Sequence, residues 1–149
     1  MAQQLRYMVD SYILDGKAVK IPRAESGTYS LTVTMNAPHT ITFNYTIQYY
    51  LTVKSEYGNP QGEGWYDANS KATFSVSPTA IGFLIQQVFT GWSGDSTATS
   101  PSATIVMNGP KIVIANWKTD YTQLYVTIIG IVVMGTISFI ALKRRKRVK

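Results

Sequence analysis

The sequence predicts a mainly β fold, in which small tandem β repeat modules are followed by a single C-terminal transmembrane helix. Residues 1–120 are rich in Thr, Tyr and Val, which favour strands over helices. Short runs in this region alternate apolar with polar side chains, as half-buried strands do. A Met-Asn-x-Pro motif occurs twice between such runs, and residues 121–142 carry no charge. The chain therefore divides into a repetitive β region and a hydrophobic C-terminal segment.

The Met-Asn-x-Pro motif marks an internal repeat. Residues 31–45 read LTVTMNAPHTITFNY, and residues 103–117 read ATIVMNGPKIVIANW. Placing Met35 on Met107 gives an offset of 72 residues, at which further positions carry identical or equivalent residues. These positions are Asn36/Asn108, Pro38/Pro110, Asn44/Asn116, Tyr45/Trp117 and Tyr49/Tyr121. We predict that each motif forms the turn of a β-hairpin, with proline where its missing N–H breaks no ladder.

The repeat also predicts the domain organisation. Residues 47–120 contain every strand of one unit and are predicted to be a complete β repeat. Residues 1–46 are predicted to be the C-terminal half of a second repeat, in which Tyr12 takes the place of Trp92. Because this half lacks the opening strands of the unit, we expect the chain to be the C-terminal part of a larger exported protein.

Residues 121–142 are predicted to be a transmembrane helix. Leu124 to Leu142 gives 19 uncharged residues, about 28 Å of helix, which just spans the hydrocarbon core of a bilayer. Residues 143–149 are predicted to be a basic cytoplasmic tail, because cations flank membrane helices on the cytoplasmic side. The residues expected to determine the topology are Lys143, Arg144, Arg145, Lys146, Arg147 and Lys149.

The distribution of charge narrows the choice of partners. The net charge is +6, but the tail supplies it, because the eight carboxylates are balanced by cations within residues 1–142. A neutral body lacks the basic surface that binds nucleic acid, so the predicted partner is the lipid bilayer and not nucleic acid. The N-terminal region should lie outside the cell. The first ten residues carry no apolar export signal, so either the true amino terminus lies upstream or the protein is tail-anchored against the charge rule.

Several motifs in residues 47–120 resemble those of the divergent B-repeat family related to internalin B-repeats. They are the runs that begin GWY at Gly64, TFSVSP at Thr73, FTGWSG at Phe89 and IVMNGP at Ile105. The resemblance implies a small, mainly β module, either β-grasp-like or a small antiparallel sheet. It also implies a spacer or adhesive role in exported bacterial and archaeal surface proteins. The apolar helix with its short basic tail is similar to the membrane anchor of archaeal surface proteins, and the family offers no catalytic residues.

No catalytic, cofactor-binding or metal-binding residue is predicted. The chain has no cysteine, which excludes disulfides and thiolate metal sites. His39 is the only histidine, the sequence fixes no serine or aspartate beside it, and Lys111 takes its place in the second copy of the repeat. We therefore expect a protein that is not an enzyme and uses no cofactor.

Three aromatic residues and one asparagine are candidates for surface chemistry. Trp65, Tyr66 and Trp92 could stack on a glycan, although aromatic residues beside glycines in a small β module more often form its core. Asn44 begins an Asn-x-Thr acceptor for N-glycosylation, which is relevant only outside the cell. The further partners predicted are neighbouring repeats, surface-layer proteins or glycans.

Three functions are consistent with these features. The favoured one is a non-enzymatic, membrane-anchored cell-surface stalk or spacer. The first alternative is the membrane-anchoring tail of an exported enzyme such as a surface protease. The second is an adhesive module that binds a glycan or a protein through its Trp- and Tyr-containing loops.

Overall fold

The computed structural model describes residues 4–21 and 30–147, which form ten strands and one helix. The elements are β1 (Leu5–Leu14), β2 (Lys17–Lys20), β3 (Ile41–Ser55), β4 (Asn59–Gln61), β5 (Gly64–Asp67), β6 (Lys71–Ser77), β7 (Ala80–Ile81), β8 (Gln86–Gly94), β9 (Ser102–Val106), β10 (Lys111–Asp120) and α1 (Thr122–Arg147).

The strands form two sheets. The larger has the order β2-β1-β3-β10-β8-β7, with β5 also paired to β3, and the smaller has the order β4-β6-β9. The pairs β1–β2, β1–β3, β3–β5, β4–β6, β7–β8 and β8–β10 are antiparallel. The prediction of a mainly β fold with one C-terminal helix is confirmed.

The internal repeat is visible in the register of two ladders. β1 pairs with the first half of β3, and β8 pairs in the same way with β10. Tyr12 lies opposite Phe43, and Trp92 lies opposite Ala115. Phe43 and Ala115 are equivalent at the 72-residue offset of the repeat. Tyr12 thus occupies the position of Trp92, as the sequence predicts.

Both ladders also carry a β-bulge at the same place. In the first copy the register shifts between Val9 and Ser11, so that Asp10 is the extra residue of the bulge. In the second copy Phe89 and Gly91 pair with consecutive residues of β10, Trp117 and Asn116, so Thr90 is the extra residue of the bulge. One extra residue on one strand twists the pair locally. The two copies therefore share a local distortion as well as a sequence motif.

The Met-Asn-x-Pro motif does not form a hairpin, and the prediction that it does is wrong. In the second copy β9 belongs to the three-stranded sheet and β10 to the seven-stranded sheet, so the motif connects two sheets. Met107 holds this connection in place. Its side chain is completely buried, its N–H donates to the carbonyl of Ser70 at 2.9 Å, and its carbonyl accepts the N–H of Asn69 at 2.8 Å.

The first copy differs from the prediction in another way, because residues 31–35 form no strand. Met35 is 77% exposed, whereas its equivalent Met107 is fully buried. In the second copy the corresponding segment is β9, which is paired with β6. No strand among the residues that the structure describes pairs with residues 31–35. A strand forms only where another supplies partners for its backbone groups, so alternation of side chains alone was not sufficient.

The chain divides into two compact units, each built from separate stretches. The first comprises Met1–Thr52, Gly62–Thr73 and Thr104–Ile112, and the second comprises Val53–Gln61, Phe74–Ala103 and Val113–Lys149. In the first unit, Leu51, Ala72 and Met107 are completely buried. Among the described residues of this unit, the completely buried side chains are thus aliphatic or thioether groups.

The second unit has an aromatic core. Phe74 and Trp92 are 1% and 4% exposed, and their rings meet edge to face at 4.8 Å. Phe89 contacts the rings of both Trp92 and Trp117, at 5.6 and 5.8 Å. The indole N–H of Trp92 donates to the carbonyl of Ser100 at 3.0 Å, which satisfies the one polar group of this buried ring.

Phe74→Ala should destabilise the β region by about 3–5 kcal/mol, because it removes a buried ring that packs on Trp92. Phe43→Ala is the matched control. At 44% exposure, the loss of its ring should cost less than about 1 kcal/mol. Urea unfolding of residues 1–120, followed by tryptophan fluorescence, measures both values. Equal losses for the two variants would contradict the assignment of Phe74 to the core.

Candidate functional site

Helix α1 presents apolar side chains on all sides. Every side chain from Tyr125 to Arg144 is exposed. The segment Thr122–Arg144 is 23 residues long with a hydropathy of 2.3, and 0% of its apolar window is buried. A helix that is apolar all round belongs in a core or in a membrane, and no protein core surrounds this one. By length and composition α1 is a candidate membrane span, which begins one residue after the start of the predicted segment.

Strand β10 passes into this helix without a loop. β10 ends at Asp120, and α1 begins at Thr122. The carboxylate of Asp120 accepts the hydroxyl of Thr122 at 2.5 Å and its N–H at 2.9 Å, and these two bonds lower the pKa of Asp120. The negative charge lies at the helix N-terminus, where it interacts favourably with the helix dipole. The last residue of the repeat therefore caps the helix.

The two threonines of the apolar segment satisfy their hydroxyls within the helix. Thr127 donates to the carbonyl of Gln123 at 2.7 Å, and Thr136 donates to the carbonyl of Val133 at 2.8 Å. An unsatisfied polar group is costly in hydrocarbon, so these internal bonds remove an obstacle to membrane insertion. Neither threonine requires a partner outside the helix.

The predicted topology residues follow the apolar segment directly. Lys143 and Arg144 are exposed, and α1 continues through Arg147, so Arg145 and Lys146 also belong to the helix. Lys149 lies outside the described residues. The cations are thus concentrated at one end of the candidate span, and Asp120 lies at the other.

Trp65 takes part in a network of side chains within the first unit. The guanidinium of Arg6 lies 4.5 Å from the centre of the indole ring, and Tyr50 meets the ring edge to face at 5.2 Å. Arg6 also donates to the side-chain oxygen of Gln48 at 2.7 Å, and Gln48 donates to Asp67 at 2.7 Å. Gln48 is buried and hydrogen-bonded through both ends of its amide. A sugar could reach Trp65 only on the ring face that Arg6 does not cover.

The three predicted glycan-contact residues do not form one stacking surface. Trp65 and Tyr66 are consecutive in β5, so their side chains point to opposite faces of the sheet. The hydroxyl of Tyr66 donates to the carbonyl of Gly62 at 2.9 Å. Trp92 is 4% exposed and belongs to the aromatic core of the second unit. Glycan contact therefore stays a prediction for Trp65 and Tyr66, each by itself, and Trp92 has no free ring face.

His39 is bound to an aspartate that the sequence did not place beside it. Its Nδ1 lies 2.6 Å from Oδ2 of Asp15, and its Nε2 lies 3.1 Å from the carbonyl oxygen of Thr34. A carboxylate and a carbonyl oxygen both accept, so the protonated imidazole, which donates from both nitrogens, is the form that these two contacts favour. The hydrogen bond to Asp15 raises the pKa of His39, and the same bond, together with one from the N–H of Thr40, lowers the pKa of Asp15.

The signal that could have located this pair is the dipeptide Asp15-Gly16. Both residues have positive φ, 49° and 79°, as a two-residue type I′ turn requires. This turn joins β1 to β2, and the N–H of Asp15 donates to the carbonyl of Thr40 at 3.1 Å. The turn therefore holds the Asp15 carboxylate against residues 39 and 40.

Asn44 lies on the exposed part of β3. Its side-chain amide donates to the hydroxyl of Ser11 at 3.0 Å, and the hydroxyl of Thr46 donates to the carboxylate of Asp10. Both ends of the Asn-x-Thr acceptor thus contact β1. Glycosylation at Asn44 stays a prediction, and it would require the bond to Ser11 to open.

An open groove of about 610 Å³ lies in the second unit. It is lined by residues 53–56 and 114–117, together with Pro60. Ser55 accepts the indole N–H of Trp117 at 3.0 Å and donates to the carbonyl of Tyr57. Among residues 4–21 and 30–147, no three His, Cys, Asp or Glu side chains lie close enough to hold a metal ion.

These features define a class of protein: a mainly β repeat whose last strand continues into an apolar helix. Residues 49–121 match the family model of the divergent InlB B-repeat domain. This segment of the chain is therefore a divergent InlB B-repeat, as its motifs predict. It begins within β3 and ends at the residue between β10 and α1. Comparisons with curated proteins and with solved structures find no match.

The hydrogen bond between His39 and Asp15 should make the stability of the protein depend on pH. The contribution of His39 to stability is complete below its ordinary pKa of 6.5 and is lost as the pH rises through its raised value. The contribution of Asp15 is complete above its ordinary value of 3.8 and is lost as the pH falls through its lowered value. Both contributions are present in full between these two ordinary values.

Because His39 is the only histidine, NMR of its ring protons measures its pKa directly. We expect a value above 6.5 in the native chain and a return toward 6.5 in Asp15→Asn. Asp95→Asn removes an equal charge without breaking the bond to His39, and it should leave the titration unchanged. A native pKa that is insensitive to Asp15→Asn would refute the pairing.

Proposed function

We propose that the protein is a non-enzymatic, membrane-anchored cell-surface stalk or spacer. The observation that carries this proposal is the continuation of β10 into α1. The last strand of the B-repeat ends at Asp120, and an apolar helix with exposed side chains begins two residues later. A folded module joined to a membrane span without a loop is suited to hold the module at a set distance from the bilayer.

The connection between the two copies of the repeat supports a spacer role. β3 runs for 15 residues without interruption, from Ile41 to Ser55. Its first part pairs with β1 as the last strand of the first copy, and Tyr49, where the B-repeat match begins, lies within it. One strand therefore serves both copies, and no flexible linker separates them.

We propose that the β region lies outside the cell and that the basic end of α1 lies inside. Lys143 and Arg144 follow the apolar segment, which agrees with the bias of cytoplasmic flanks toward Lys and Arg. Tyr121 and Tyr125 lie at the opposite end of the span, with their rings 6.4 Å apart. Tyrosine is enriched at membrane interfaces, so this end fits the outer surface.

The absence of catalysis is part of the proposal. His39 and Asp15 form an acid–base pair, but both ring nitrogens of the histidine are hydrogen-bonded and hold a turn in place. The hydroxyl of Ser55, in the groove of the second unit, faces a backbone carbonyl and an indole N–H. Neither arrangement provides a nucleophile beside an available base.

The orientation can be tested with single cysteines in a chain that has none of its own. Lys71→Cys places a thiol at an exposed position of β6, and Lys149→Cys places one in the tail. In intact cells, an impermeant maleimide should label position 71 and should reach position 149 only after lysis. The reverse pattern would show that the orientation is wrong.

Membrane anchoring can be tested with charges in the middle of α1. The test variant combines Ile131→Arg with Val132→Arg. Each arginine should oppose insertion of α1 by roughly 2.5–3.5 kcal/mol, so the chain should be released from carbonate-washed membranes. Ile131→Leu combined with Val132→Leu is the control and should stay in the membrane fraction. Retention of the double arginine variant would mean that α1 is not the anchor.

A further inference from the structure

The first copy of the repeat exposes a face that the second copy buries. Ile41, Phe43 and Tyr45 lie on one face of β3 and are 40%, 44% and 57% exposed. Two of their equivalents in β10, Val113 and Ala115, are 0% and 5% exposed. The ladders behind the two faces have the same register and the same bulge. The difference between the copies therefore lies in what covers the face.

In the second copy the cover includes β6. Phe74 of β6 packs edge to face on Trp92, which pairs with Ala115. In the first copy Tyr12 stands in the place of Trp92, and its ring meets Phe43 across the ladder at 6.3 Å. Within residues 4–21 and 30–46 of the first copy, no strand stands in the place of β6 and no ring takes the position of Phe74.

A second observation leads to the same missing element. β9 forms a strand because it pairs with β6, and the equivalent residues 31–34 keep the alternating pattern without forming a strand. Leu31 and Val33 are half-buried, whereas Thr32 and Thr34 are exposed. The segment thus has the side-chain alternation of a strand, and no strand in the described part of the chain pairs with it. One absent strand of the β6 type accounts for both differences between the copies.

We propose that the first copy is a docking surface for the front layer of another B-repeat. The occupant is a short sheet whose central strand has the alternation of β6, with apolar residues at the positions of Ala72, Phe74 and Val76. Its backbone would pair with residues 31–34, and its phenyl ring would rest on Tyr12 and Phe43. This is strand addition combined with burial of an apolar face. The occupant is the front layer of a separate B-repeat, whose central strand has the pattern of residues 70–78.

The proposal rests on the repeat and not on the membrane topology, so the two can fail separately. Failure of the labelling and extraction experiments would leave the docking surface in place. Failure of the experiment below would leave the membrane anchor in place.

The test supplies the missing layer within the 149-residue chain. A duplicate of residues 49–84 is joined directly to Leu5, so that it precedes β1 as the native segment precedes β8. Amide hydrogen exchange is measured in detergent micelles. We expect exchange at residues 31–34 and 41–45 to slow by at least about tenfold, because backbone groups that pair and become buried exchange more slowly. The matched control carries F74D and V76D in the added segment alone and should show no slowing.

A second measurement covers the case in which the added segment does not fold at this position. A synthetic peptide with the sequence of residues 70–78, SKATFSVSP, is titrated into the unmodified chain, and the same peptide with both aspartate changes is the control. Selective slowing at residues 31–34 with either the graft or the native peptide supports the proposal. No response to both overturns it.

The same preparation tests the competing occupant, a second copy of this chain. The mass of the unmodified protein is measured in nanodiscs, alone and with Phe43→Ser. A dimer that the substitution dissociates would assign the exposed face to self-association and would overturn the proposal. A monomer in both cases, with slowing by the graft, is the expected result.

Discussion

The rest of the β region depends on one antiparallel ladder, which occurs in both copies of the repeat. In each copy it joins the strand that follows the Met-Asn-x-Pro motif to an earlier strand. It occurs as β1 with β3 and as β8 with β10, with the same register and with a bulge at Asp10 and at Thr90. In the second copy it carries Trp92 and thereby the aromatic core. In the first copy the same ladder is present without that core. The ladder thus tolerates the loss of its cover, whereas the strand equivalent to β9 does not.

Much of this arrangement follows from local patterns. Ala72, Phe74 and Val76 alternate in the sequence, and all three are buried in β6. The equivalence of Tyr12 and Trp92 does not follow from the 72-residue offset, because Trp92 lies farther than that from Tyr12. It follows from the match of residues 9–16 to the run that begins at Phe89, and the common register of the two ladders places both residues opposite equivalent partners. The apolar helix is predicted from composition alone, since a run without charge or amphipathic face has few other solutions in a small protein.

The remaining features depend on contacts that are distant in sequence. A turn motif does not specify which sheet the following strand joins, and here the bonds of Met107 to Asn69 and Ser70 direct the chain out of the small sheet. The pairing of His39 with Asp15 depends on the hairpin turn at Asp15-Gly16, a dipeptide that is a strong local turn signal but does not specify what its carboxylate contacts. Trp65, Tyr66 and Trp92 do not form one surface, because consecutive residues of a strand point to opposite faces and Trp92 is buried in the aromatic core.

The loop-free passage from β10 to α1 has a mechanical consequence. A force that pulls on α1 acts on β10 at Asp120, which is paired with Gln86 of β8. β10 lies between β8 and β3 in the sheet, and the indole N–H of Trp117 is bonded to Ser55 near the end of β3. Tension along the strand must therefore shear ladders on both sides together, since β10 is not an edge strand that could be peeled away one bond at a time. The strand that continues into the apolar helix is therefore held by hydrogen bonds along both of its edges.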